Sequence, residues 1–460
     1  MKAINPATEE LIRDYPETNE EEIERALRRA AEAFSAWGRR LFAERAEKML
    51  ALAAVIREET AELARVNMRE SGKPIVQAEN EVQKCAWVCE YFAEYAEQFL
   101  LSETISTGAM HSEIRYEPMG PLLAIMPWNF PFWQFFRAAV PAIMAGNVVV
   151  VKHASNVPGT SLAIGELFGK AGFPAGVVEV LLVSGSQASA LIGDRRIRGV
   201  TVTGSEGTGR KVAAEAGRHI KKTVLELGGS DPFLVLDDAD IVAAARLGTQ
   251  ARTLNAGQSC TAAKRFLVEA SVAEAFEEAF VEQMRHVNVG DPSYREVEMG
   301  PLARQDLVDD LHDQVRRTVE QGATVRTGGE PMDRQGYFYP PTVLTGVEPG
   351  MAAFEEETFG PVAAITRAED RQELIELANR SRYGLAATIV TANPEVGRRI
   401  ARELETGAVF VNSMAGYDPR LPMGGRKASG YGRELSHIGL REFVYAKTVS
   451  VEEEQGPPEL

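Results

Sequence analysis

Three cysteines occur in the 460 residues, and one of them stands where a thiol could act as a nucleophile. Cys260 follows a glycine, a glutamine and a serine directly beyond a helical stretch. A thiolate is a strong side-chain nucleophile near neutral pH, so this position is a candidate for covalent chemistry. Cys85 and Cys89 are four residues apart on a predicted helix among aromatic residues. Because free cysteine is among the most buried residue types, we interpret these two thiols as core residues.

Glu226 is a candidate general base, since it lies between two leucines at the predicted end of a strand. Gly228 and Gly229 follow it, and glycines allow backbone and ligand to approach closely. Burying a carboxylate is costly unless the group is paired or used. The pattern is equally compatible with a salt bridge from Glu226 to Lys221 or Lys222.

Asn129 is a candidate donor to a developing negative charge. Two prolines enclose it in the sequence Pro-Trp-Asn-Phe-Pro at residues 127–131, which fixes the backbone around its amide. A rigid amide donor suits an oxyanion hole. From these five residues alone, a buried polar kink is an equally good interpretation.

A glycine-rich turn at residues 203–209 follows a predicted strand and opens a predicted helix. This arrangement places phosphate groups at a helix N-terminus. The turn differs from the usual dinucleotide fingerprint, and a strand-glycine-helix turn is also common without a ligand.

The composition limits the class of protein. The formal net charge of −16 argues against binding of nucleic acid, which requires a basic surface. Few cysteines and an acidic N-terminal stretch without an apolar core predict a cytoplasmic protein with free thiols. Residues 118–136 carry no charge and are mostly apolar, but four prolines interrupt them. We interpret them as buried strand and loop, not as a membrane span, and expect a small-molecule partner.

The elements that must position these residues follow an α/β pattern. Apolar residues at helical spacing predict amphipathic helices over residues 20–67 and 77–99. Short apolar strands then alternate with helices, at residues 147–151, 178–182, 199–203, 223–226 and 233–236. A second series begins near Ala239. Because 460 residues exceed one core, the pattern predicts two parallel-sheet α/β domains.

Taken together, the four motifs resemble the aldehyde dehydrogenase superfamily, in this order and spacing and over nearly the whole chain. Further matches are Lys152 after a strand, residues 356–361 (Glu-Glu-Thr-Phe-Gly-Pro), Asn412, and residues 424–430 (Gly-Gly-Arg-Lys-Ala-Ser-Gly). The resemblance implies that Cys260 is the nucleophile and Glu226 the general base. It implies an oxyanion hole made of Asn129 and the Cys260 backbone N–H, and no metal.

The resemblance also implies a nicotinamide dinucleotide cofactor. The implied contacts are Trp128 and Lys152 to the adenosine and its ribose, Gly204 and Ser205 to the pyrophosphate, and Glu357 and Phe359 to the nicotinamide ribose. Family members that prefer NAD often have a glutamate three residues after the lysine, where this chain has Ser155. Without that carboxylate a 2′-phosphate is not repelled. We therefore predict that NADP is accepted alongside NAD; a preference for NADP is the stronger form of this hypothesis.

Residues 126–134, 152–159, 224–233 and 262–266, and the Gly-Arg-Glu-Leu sequence that opens residues 432–440, most closely resemble bacterial succinate-semialdehyde dehydrogenases that act with NAD or NADP. Arg137, eight residues after Asn129, matches an arginine that binds the substrate carboxylate in that group, and Trp133 is a predicted pocket residue. The alternative is that Arg137 satisfies a helix face. A second arginine of that group is replaced by Leu254, and the roles of Arg252, Arg265 and Arg420 are open.

Three other functions remain open. The protein could oxidise an uncharged aliphatic or aromatic aldehyde, with Trp133 and Phe136 as pocket walls. It could be a non-catalytic structural homologue, although a structural role would not require Cys260, Glu226 and Asn129 together. A phosphorylating acyl transfer is the third possibility, although Glu226 favours hydrolysis.

The resemblance implies a fold of two parallel-sheet α/β domains with a small β oligomerisation extension. The predicted dinucleotide-binding domain comprises residues 1–99 and 118–228, and the catalytic domain residues 229–428. Residues 100–117 and 446–460 form the predicted extension, and residues 429–445 a return segment on the cofactor domain. An open sheet edge in the extension predicts a homodimer or a homotetramer.

Overall fold

The computed structural model describes residues 1–452. Residues 453–460, which the sequence assigns to the end of the β extension, lie outside the described residues. The strands are β1 (Lys2–Ile4), β2 (Leu11–Asp14), β3 (Glu103–Thr104), β4 (His111–Pro118), β5 (Pro121–Met126), β6 (Val148–His153), β7 (Val178–Val180), β8 (Gly199–Thr203), β9 (Lys222–Glu226), β10 (Asp231–Val235), β11 (Ala263–Glu269), β12 (Thr324–Thr327), β13 (Thr342–Thr345), β14 (Val362–Ala368), β15 (Tyr383–Gly384), β16 (Ala386–Val390), β17 (Ala408–Val411), β18 (Arg426–Lys427), β19 (Gly430–Tyr431) and β20 (Val444–Val451).

The α-helices are α1 (Glu20–Trp37), α2 (Phe42–Glu58), α3 (Thr60–Ser71), α4 (Ile75–Phe99), α5 (Pro131–Met144), α6 (Pro158–Lys170), α7 (Gly185–Gly193), α8 (Glu206–Arg218), α9 (Ile241–Thr253), α10 (Ala270–Arg285), α11 (Gln305–Glu320), α12 (Ala352–Glu355), α13 (Arg371–Asn379), α14 (Pro394–Ile400) and α15 (Ser436–Leu440).

The first large sheet has six strands in the order β19-β9-β8-β5-β6-β7. Strands β5 to β9 run parallel, and β19 pairs antiparallel with β9. A helix separates each parallel strand from the next along the chain, in the order α5, α6, α7 and α8. This alternation confirms the βαβ pattern predicted from the sequence.

The second large sheet has seven strands in the order β12-β13-β14-β11-β10-β16-β17. Its strands pair in parallel except for β12, which is antiparallel to β13. Helices α9, α10, α11 and α13 lie between its strands in the chain. The prediction of two parallel-sheet α/β units is therefore confirmed.

Four residues, 227–230, connect the two large sheets directly from β9 to β10. They leave the carboxyl end of β9 and enter the amino end of β10. The carboxyl edge of the first sheet therefore faces the amino edge of the second sheet. Side chains that follow β5, β6, β8 and β9 meet, at this boundary, the loop that precedes β11.

The third sheet is a small antiparallel one in the order β20-β4-β3. All eight residues of β20 pair with β4, from Val444 opposite Pro118 to Val451 opposite His111. The sequence places the β extension at residues 100–117 and 446–460, and strand β20 begins slightly earlier, at Val444. Strands β3 and β20 are its edges.

Helix α5 corrects one prediction, because residues 131–136 are helical and not loop. Pro131 takes the first helical position, where its missing N–H costs nothing and its fixed φ suits the helix. The next two N–H groups, of Phe132 and Trp133, both donate to Glu81 Oε1 at 3.0 Å. Every residue of α5 is buried, including Gln134 and Arg137. Among residues 1–452, no helix is both long and apolar enough to cross a membrane.

Glu81, which caps α5, is itself held in place by other polar groups. It forms a buried ion pair with Lys73 and accepts a hydrogen bond from Asn67 Nδ2 at 2.9 Å. The Lys73 ammonium also lies 3.7 Å from the ring centroid of Phe130. With its oxygens engaged in this way, the Glu81 carboxylate fixes the turn at residues 127–131 where Asn129 lies.

Candidate active site

The loop that carries Cys260 is held in an unusual backbone conformation. Asn255, Ala256 and Gly257 have φ values of 53°, 54° and 74°, in the left-handed region that side chains rarely adopt. At Gly257 a Cβ atom would collide with the backbone of Gly360, so only glycine fits. Strain of this kind persists where surrounding contacts enforce it.

Hydrogen bonds from outside the loop provide that support. Asn255 Nδ2 donates to the Asn129 carbonyl oxygen at 2.8 Å, and Arg252 Nη2 donates to the Gly257 carbonyl oxygen at 2.6 Å. Lys264 Nζ donates to the carbonyl oxygens of Ser259 and Cys260, at 3.0 and 2.7 Å. The backbone N–H groups and the side chain around Cys260 are therefore rigidly placed.

The Cys260 thiol is partly exposed, whereas Cys85 and Cys89 are buried. Its Sγ lies 3.3 Å from Tyr417 Oη. Burial raises the pKa of this thiol, and the positive charge of Arg137 and the hydrogen bond to Tyr417 oppose that rise. Cys260 thus combines access with groups that stabilise its thiolate.

The Asn129 amide is oriented toward the cysteine loop. Its Nδ2 donates to the Gln258 carbonyl oxygen at 2.9 Å, and its Oδ1 accepts from Gln134 Nε2 at 3.0 Å. Since an amide nitrogen carries two hydrogens, one N–H remains for a ligand. Asn129 lines the same cavity as Cys260.

Glu226 is a buried carboxyl group without a hydrogen-bond partner among residues 1–452. Burial and the neighbouring Glu434 raise its pKa to about 8, against the influence of Arg137. The alternative pairing with lysine is wrong. Lys221 donates to the main-chain carbonyls of Ile192 and Asp194, and Lys222 pairs with Glu442 at 2.9 Å.

Arg137 lies behind these groups and is 1% exposed. It forms an ion pair with Glu434, and its Nη2 lies 3.7 Å from Glu226 Oε2. Its guanidinium carbon is 4.6 Å from the ring centroid of Tyr417. Burial would lower the pKa of Arg137, but the neighbouring Glu434, Tyr417 and Glu226 together outweigh burial and raise it. Arg137 is therefore a permanent positive charge that two carboxyl groups already share.

A cavity of about 460 Å³, which we call the sheet-end cavity, lies at the carboxyl ends of β5, β6, β8 and β9. Its lining includes Cys260, Glu226, Asn129 and six of the seven residues predicted to bind a dinucleotide: Trp128, Lys152, Gly204, Ser205, Glu357 and Phe359. Ser155, the seventh, lines an adjoining cavity of about 570 Å³ that shares Lys152 and Arg304 with the first. The two cavities together form one extended groove.

The groups along this groove fit a dinucleotide. Ser205 caps α8, so that the N–H groups of a 13-residue helix begin at the cavity. Glu357 Oε1 accepts from the Gly229 N–H at 3.0 Å, and a Cβ at Gly228 would collide with this carboxylate. Trp128 and Phe359 pack edge to face at 5.8 Å between ring centroids. Burial lowers the pKa of Lys152, which has no acidic partner in the described part of the chain.

A third cavity, of about 260 Å³, approaches Cys260 from another direction. We call it the apolar cavity, because apolar atoms form most of its exposed surface. Sixteen residues line it, from α4, Phe130 and α5, the cysteine loop and residues 414–417. Among them are Lys84, Trp133, Arg137, Leu254, Cys260 and Tyr417. It shares Gln134 and Cys260 with the sheet-end cavity. Two separate spaces therefore meet at the thiol.

Sequence reasoning missed three residues at this site. Tyr417, Lys84 and Glu434 are 157, 176 and 174 positions from Cys260, and only the fold brings them near it. The Gly-Arg-Glu-Leu sequence around Glu434 marked a similarity without indicating its ion pair with Arg137. No group of acidic, histidine and cysteine side chains within residues 1–452 is arranged to bind a metal ion.

The three arginines left open by the sequence have structural positions. Arg252 supports the Gly257 carbonyl, as described above. Arg265 donates to the main-chain carbonyls of Ser230, Leu377 and Ala378. Arg420 pairs with Asp418 at the surface.

Comparison with known proteins gives a consistent result. Residues 1–449 match the model of the aldehyde dehydrogenase family. A protein of Synechocystis named "Probable succinate-semialdehyde dehydrogenase [NADP(+)]" is 47% identical over 449 residues, which cover 98% of this chain and 99% of that one. The succinate semialdehyde dehydrogenase [NAD(P)+] Sad of Escherichia coli is 47% identical over 447 residues, 97% of each chain. The crystal structure of succinic semialdehyde dehydrogenase from Streptococcus pyogenes with NADP+ superimposes with a TM-score of 0.96 at 36% identity, covering 98% of this chain and 100% of that one.

The different exposure of the three thiols predicts selective labelling. In the native protein, iodoacetamide should modify one thiol per chain, because Cys85 and Cys89 are 1% and 0% exposed. Mass spectrometry of tryptic peptides should place the label on Cys260, and Cys260→Ala should remove it. Cys85→Ala serves as the matched control and should leave the labelling rate unchanged. Equal labelling of all three thiols before unfolding would contradict this geometry.

Proposed function

The chain belongs to the aldehyde dehydrogenase family, and we propose that it oxidises succinate semialdehyde to succinate with NADP or NAD. The observation that carries this proposal is the position of Cys260 where two cavities meet. One cavity suits a dinucleotide, and the other suits a short aldehyde that ends near a positive charge.

The first half of the reaction joins the aldehyde to Cys260. The thiolate attacks the aldehyde carbon, and the carbonyl oxygen becomes an alkoxide. Asn129 Nδ2 and the Cys260 N–H donate to this oxygen, and they need no reorganisation because the loop and the amide are already fixed. Arg137 favours the thiolate through its charge. The nicotinamide dinucleotide, when bound, supplies the acceptor for the hydride.

The second half of the reaction hydrolyses the thioester. Glu226 in its charged form takes a proton from water as the water attacks the acyl carbon, and Cys260 leaves as a thiolate. A carboxyl group with a pKa of about 8 is a stronger base than an exposed one. Both of its oxygens are buried and accept no hydrogen bond from residues 1–452, so neither is committed to another group when the hydrolytic water enters. This base favours hydrolysis over transfer of the acyl group to phosphate.

The coenzyme proposal depends on Lys152 and Ser155. Lys152 has no acidic partner among the described residues, and Ser155 offers a hydroxyl where a carboxylate would repel a 2′-phosphate. The relatives from Synechocystis and Escherichia coli are named for NADP(+) and NAD(P)+. We therefore propose that the protein uses NADP as well as NAD, with NADP the preferred coenzyme.

The substrate proposal depends on the apolar cavity. Its aromatic and aliphatic walls suit a short carbon chain, and Trp133 and Arg137 are among its lining residues. Arg137 contributes positive charge at this end, although two carboxyl groups share it. An uncharged aldehyde of similar length is the runner-up, because apolar atoms form most of the surface of this cavity.

Assembly, location and domain boundaries are proposals as well. Strand β20 and strand β3 are edges of a three-stranded sheet, and such edges accept a strand from another subunit. We propose a homodimer or homotetramer formed through this extension. Three free cysteines suit a reducing cytoplasm. We keep residues 1–99 with 118–228 as the cofactor domain and 229–428 as the catalytic domain.

The raised pKa of Glu226 predicts how turnover depends on pH. Protonated glutamic acid cannot act as a base, so kcat should rise as pH increases through about 8 and then level off. Glu226→Gln should lower kcat by about 10²–10⁴-fold, the usual contribution of a general base. Acyl-enzyme should accumulate in that variant, and quenched-flow mass spectrometry would detect it on Cys260. Glu442→Gln, at a surface ion pair, is the control; a pH-independent kcat in the wild type would contradict the assignment.

A charge introduced at residue 155 should change the coenzyme preference. Ser155→Glu should lower kcat/KM for NADP by about tenfold or more, since like charges near each other repel by about 4 kcal/mol at 4 Å in a protein surface environment. It should have little effect with NAD. Ser155→Ala removes only the hydroxyl and is the matched control. Equal losses with both coenzymes in steady-state assays would show that residue 155 does not face the 2′-phosphate.

A panel of aldehydes tests the proposed substrate. Succinic semialdehyde should give a kcat/KM at least about tenfold above that of butanal, an uncharged aldehyde of the same length, because a bidentate or charged contact discriminates by at least 1.4 kcal/mol. Coenzyme reduction at 340 nm measures both. A preference for butanal would favour the runner-up, and acyl phosphate formed in added phosphate would contradict the hydrolytic step.

A further inference from the structure

Two positively charged side chains, Arg137 and Lys84, line the apolar cavity. Arg137 is already engaged by Glu434 and lies near Glu226. Lys84, on α4, has no ion pair or hydrogen bond with any of residues 1–452. Of the two cations, Lys84 is therefore the one that no protein carboxylate occupies.

Aromatic rings connect the Lys84 ammonium group with the reactive thiol. Lys84 Nζ lies 4.4 Å from the ring centroid of Trp133 and 5.4 Å from that of Tyr417. The hydroxyl of the same Tyr417 lies 3.3 Å from Cys260 Sγ. The ammonium group thus lies by the ring of the same tyrosine whose hydroxyl contacts the thiol, and all three side chains line one cavity, in which a ligand bound at Cys260 can extend to Lys84.

A second, independent feature of the same cavity also points to a ligand. The indole Nε1 of Trp133 is buried and has no hydrogen-bond partner in the described part of the chain. An indole N–H can only donate, and a buried donor without an acceptor is costly. Trp133 is 3% exposed and lines the cavity, so a small rotation of its ring toward the cavity would let an acceptor on a ligand satisfy this donor.

The acidic side chains near Lys84 are already committed to other partners. Glu81 is paired with Lys73 and accepts from the first N–H groups of α5. Asp418 is bound by Arg420. No carboxylate of the described chain is therefore available to neutralise Lys84.

We infer that Lys84 forms the ion pair with the distal carboxylate of the aldehyde substrate and so determines specificity for an acidic aldehyde. Arg137 adds positive charge at longer range while it holds Glu434 and Glu226. This inference rests on the proposed function, because it assumes a substrate that carries both an aldehyde and a carboxylate.

The surroundings of Lys84 also make this ion pair sensitive to pH. Burial and the charge of Arg137 lower the pKa of Lys84 to about 8, while the nearby Cys85, Asp418 and Glu81 act in the opposite direction. A lysine with a lowered pKa is charged below that pH and loses its charge above it. Recognition of a carboxylate should therefore weaken as pH rises through about 8, whereas recognition of an uncharged aldehyde should not.

The decisive experiment compares two variants at residue 84 with two substrates of equal length. Lys84→Met keeps the length of the side chain and removes its charge, and Lys84→Arg keeps the charge. For succinic semialdehyde, Lys84→Met should raise KM at least about tenfold with kcat changed by less than about threefold, while kcat/KM for butanal stays equal or rises. Lys84→Arg should retain most of the preference. Lys211→Met, at an exposed site on α8, is the control.

Two further measurements separate carboxylate binding from a structural role of Lys84. The inhibition constant of succinate against the aldehyde should rise in Lys84→Met by about the same factor as KM. In the wild type, the ratio of kcat/KM for succinic semialdehyde to that for butanal should fall between pH 7 and pH 9.5. This ratio cancels the titration of Cys260 and Glu226, which both substrates share, and it decides the question if Lys84→Met does not fold.

The outcomes distinguish this inference from the proposed function. If the wild type does not prefer succinic semialdehyde to butanal, the proposed function fails and the inference fails with it. If the wild type has that preference and Lys84→Met keeps it, or loses activity equally with both substrates, only the assignment of Lys84 is overturned. A wild-type ratio that does not change with pH would overturn it when the variant is not folded.

Discussion

A carboxyl group that accepts no hydrogen bond from residues 1–452 is buried beside a thiol, and much of the surrounding structure serves to maintain that arrangement. Water or a direct ion pair would stabilise the charged form of Glu226, but either would lower its pKa and so make it a weaker base. Arg137 lies close enough to moderate the cost of burial and is held away from a direct bond by its own pair with Glu434. The same guanidinium also favours the thiolate of Cys260. One buried cation therefore acts on two groups: it lowers the pKa of the Cys260 thiol, and it limits the rise in the pKa of Glu226.

The rigidity of this centre comes from positions far apart in the chain. Lys73 and Glu81, from the N-terminal helices, fix the start of α5 and hence the turn with Asn129. The left-handed residues 255–257 turn the cysteine loop back toward that amide, and Asn255 hydrogen-bonds to the Asn129 carbonyl. The four-residue connection from β9 to β10 brings the edges of the two sheets together at this point. Polar contacts across the boundary thus join two units with separate hydrophobic cores.

The sequence allowed the order of strands and helices to be predicted, because apolar periodicity is local. It failed at residues 131–136, where prolines suggested a loop although Pro131 begins a helix. It also left open a pairing of Glu226 with Lys222. Residues four apart on a strand are roughly 13 Å apart, so Lys222 and Glu226 cannot pair while both lie on the continuous strand β9. Lys84 and Tyr417 could not be found in this way, because their nearness to Cys260 depends on how α4 and residues 414–417 pack and not on any local pattern.

The meeting of two cavities at one thiol has a consequence for the order of events in turnover. The sheet-end cavity and the apolar cavity share only Gln134 and Cys260, and otherwise different elements form their walls. Neither ligand has to pass through the space that the other occupies. Entry and departure of the acid and of the dinucleotide are therefore sterically independent, and any compulsory sequence of addition or release must arise from changes in affinity, not from a blocked route.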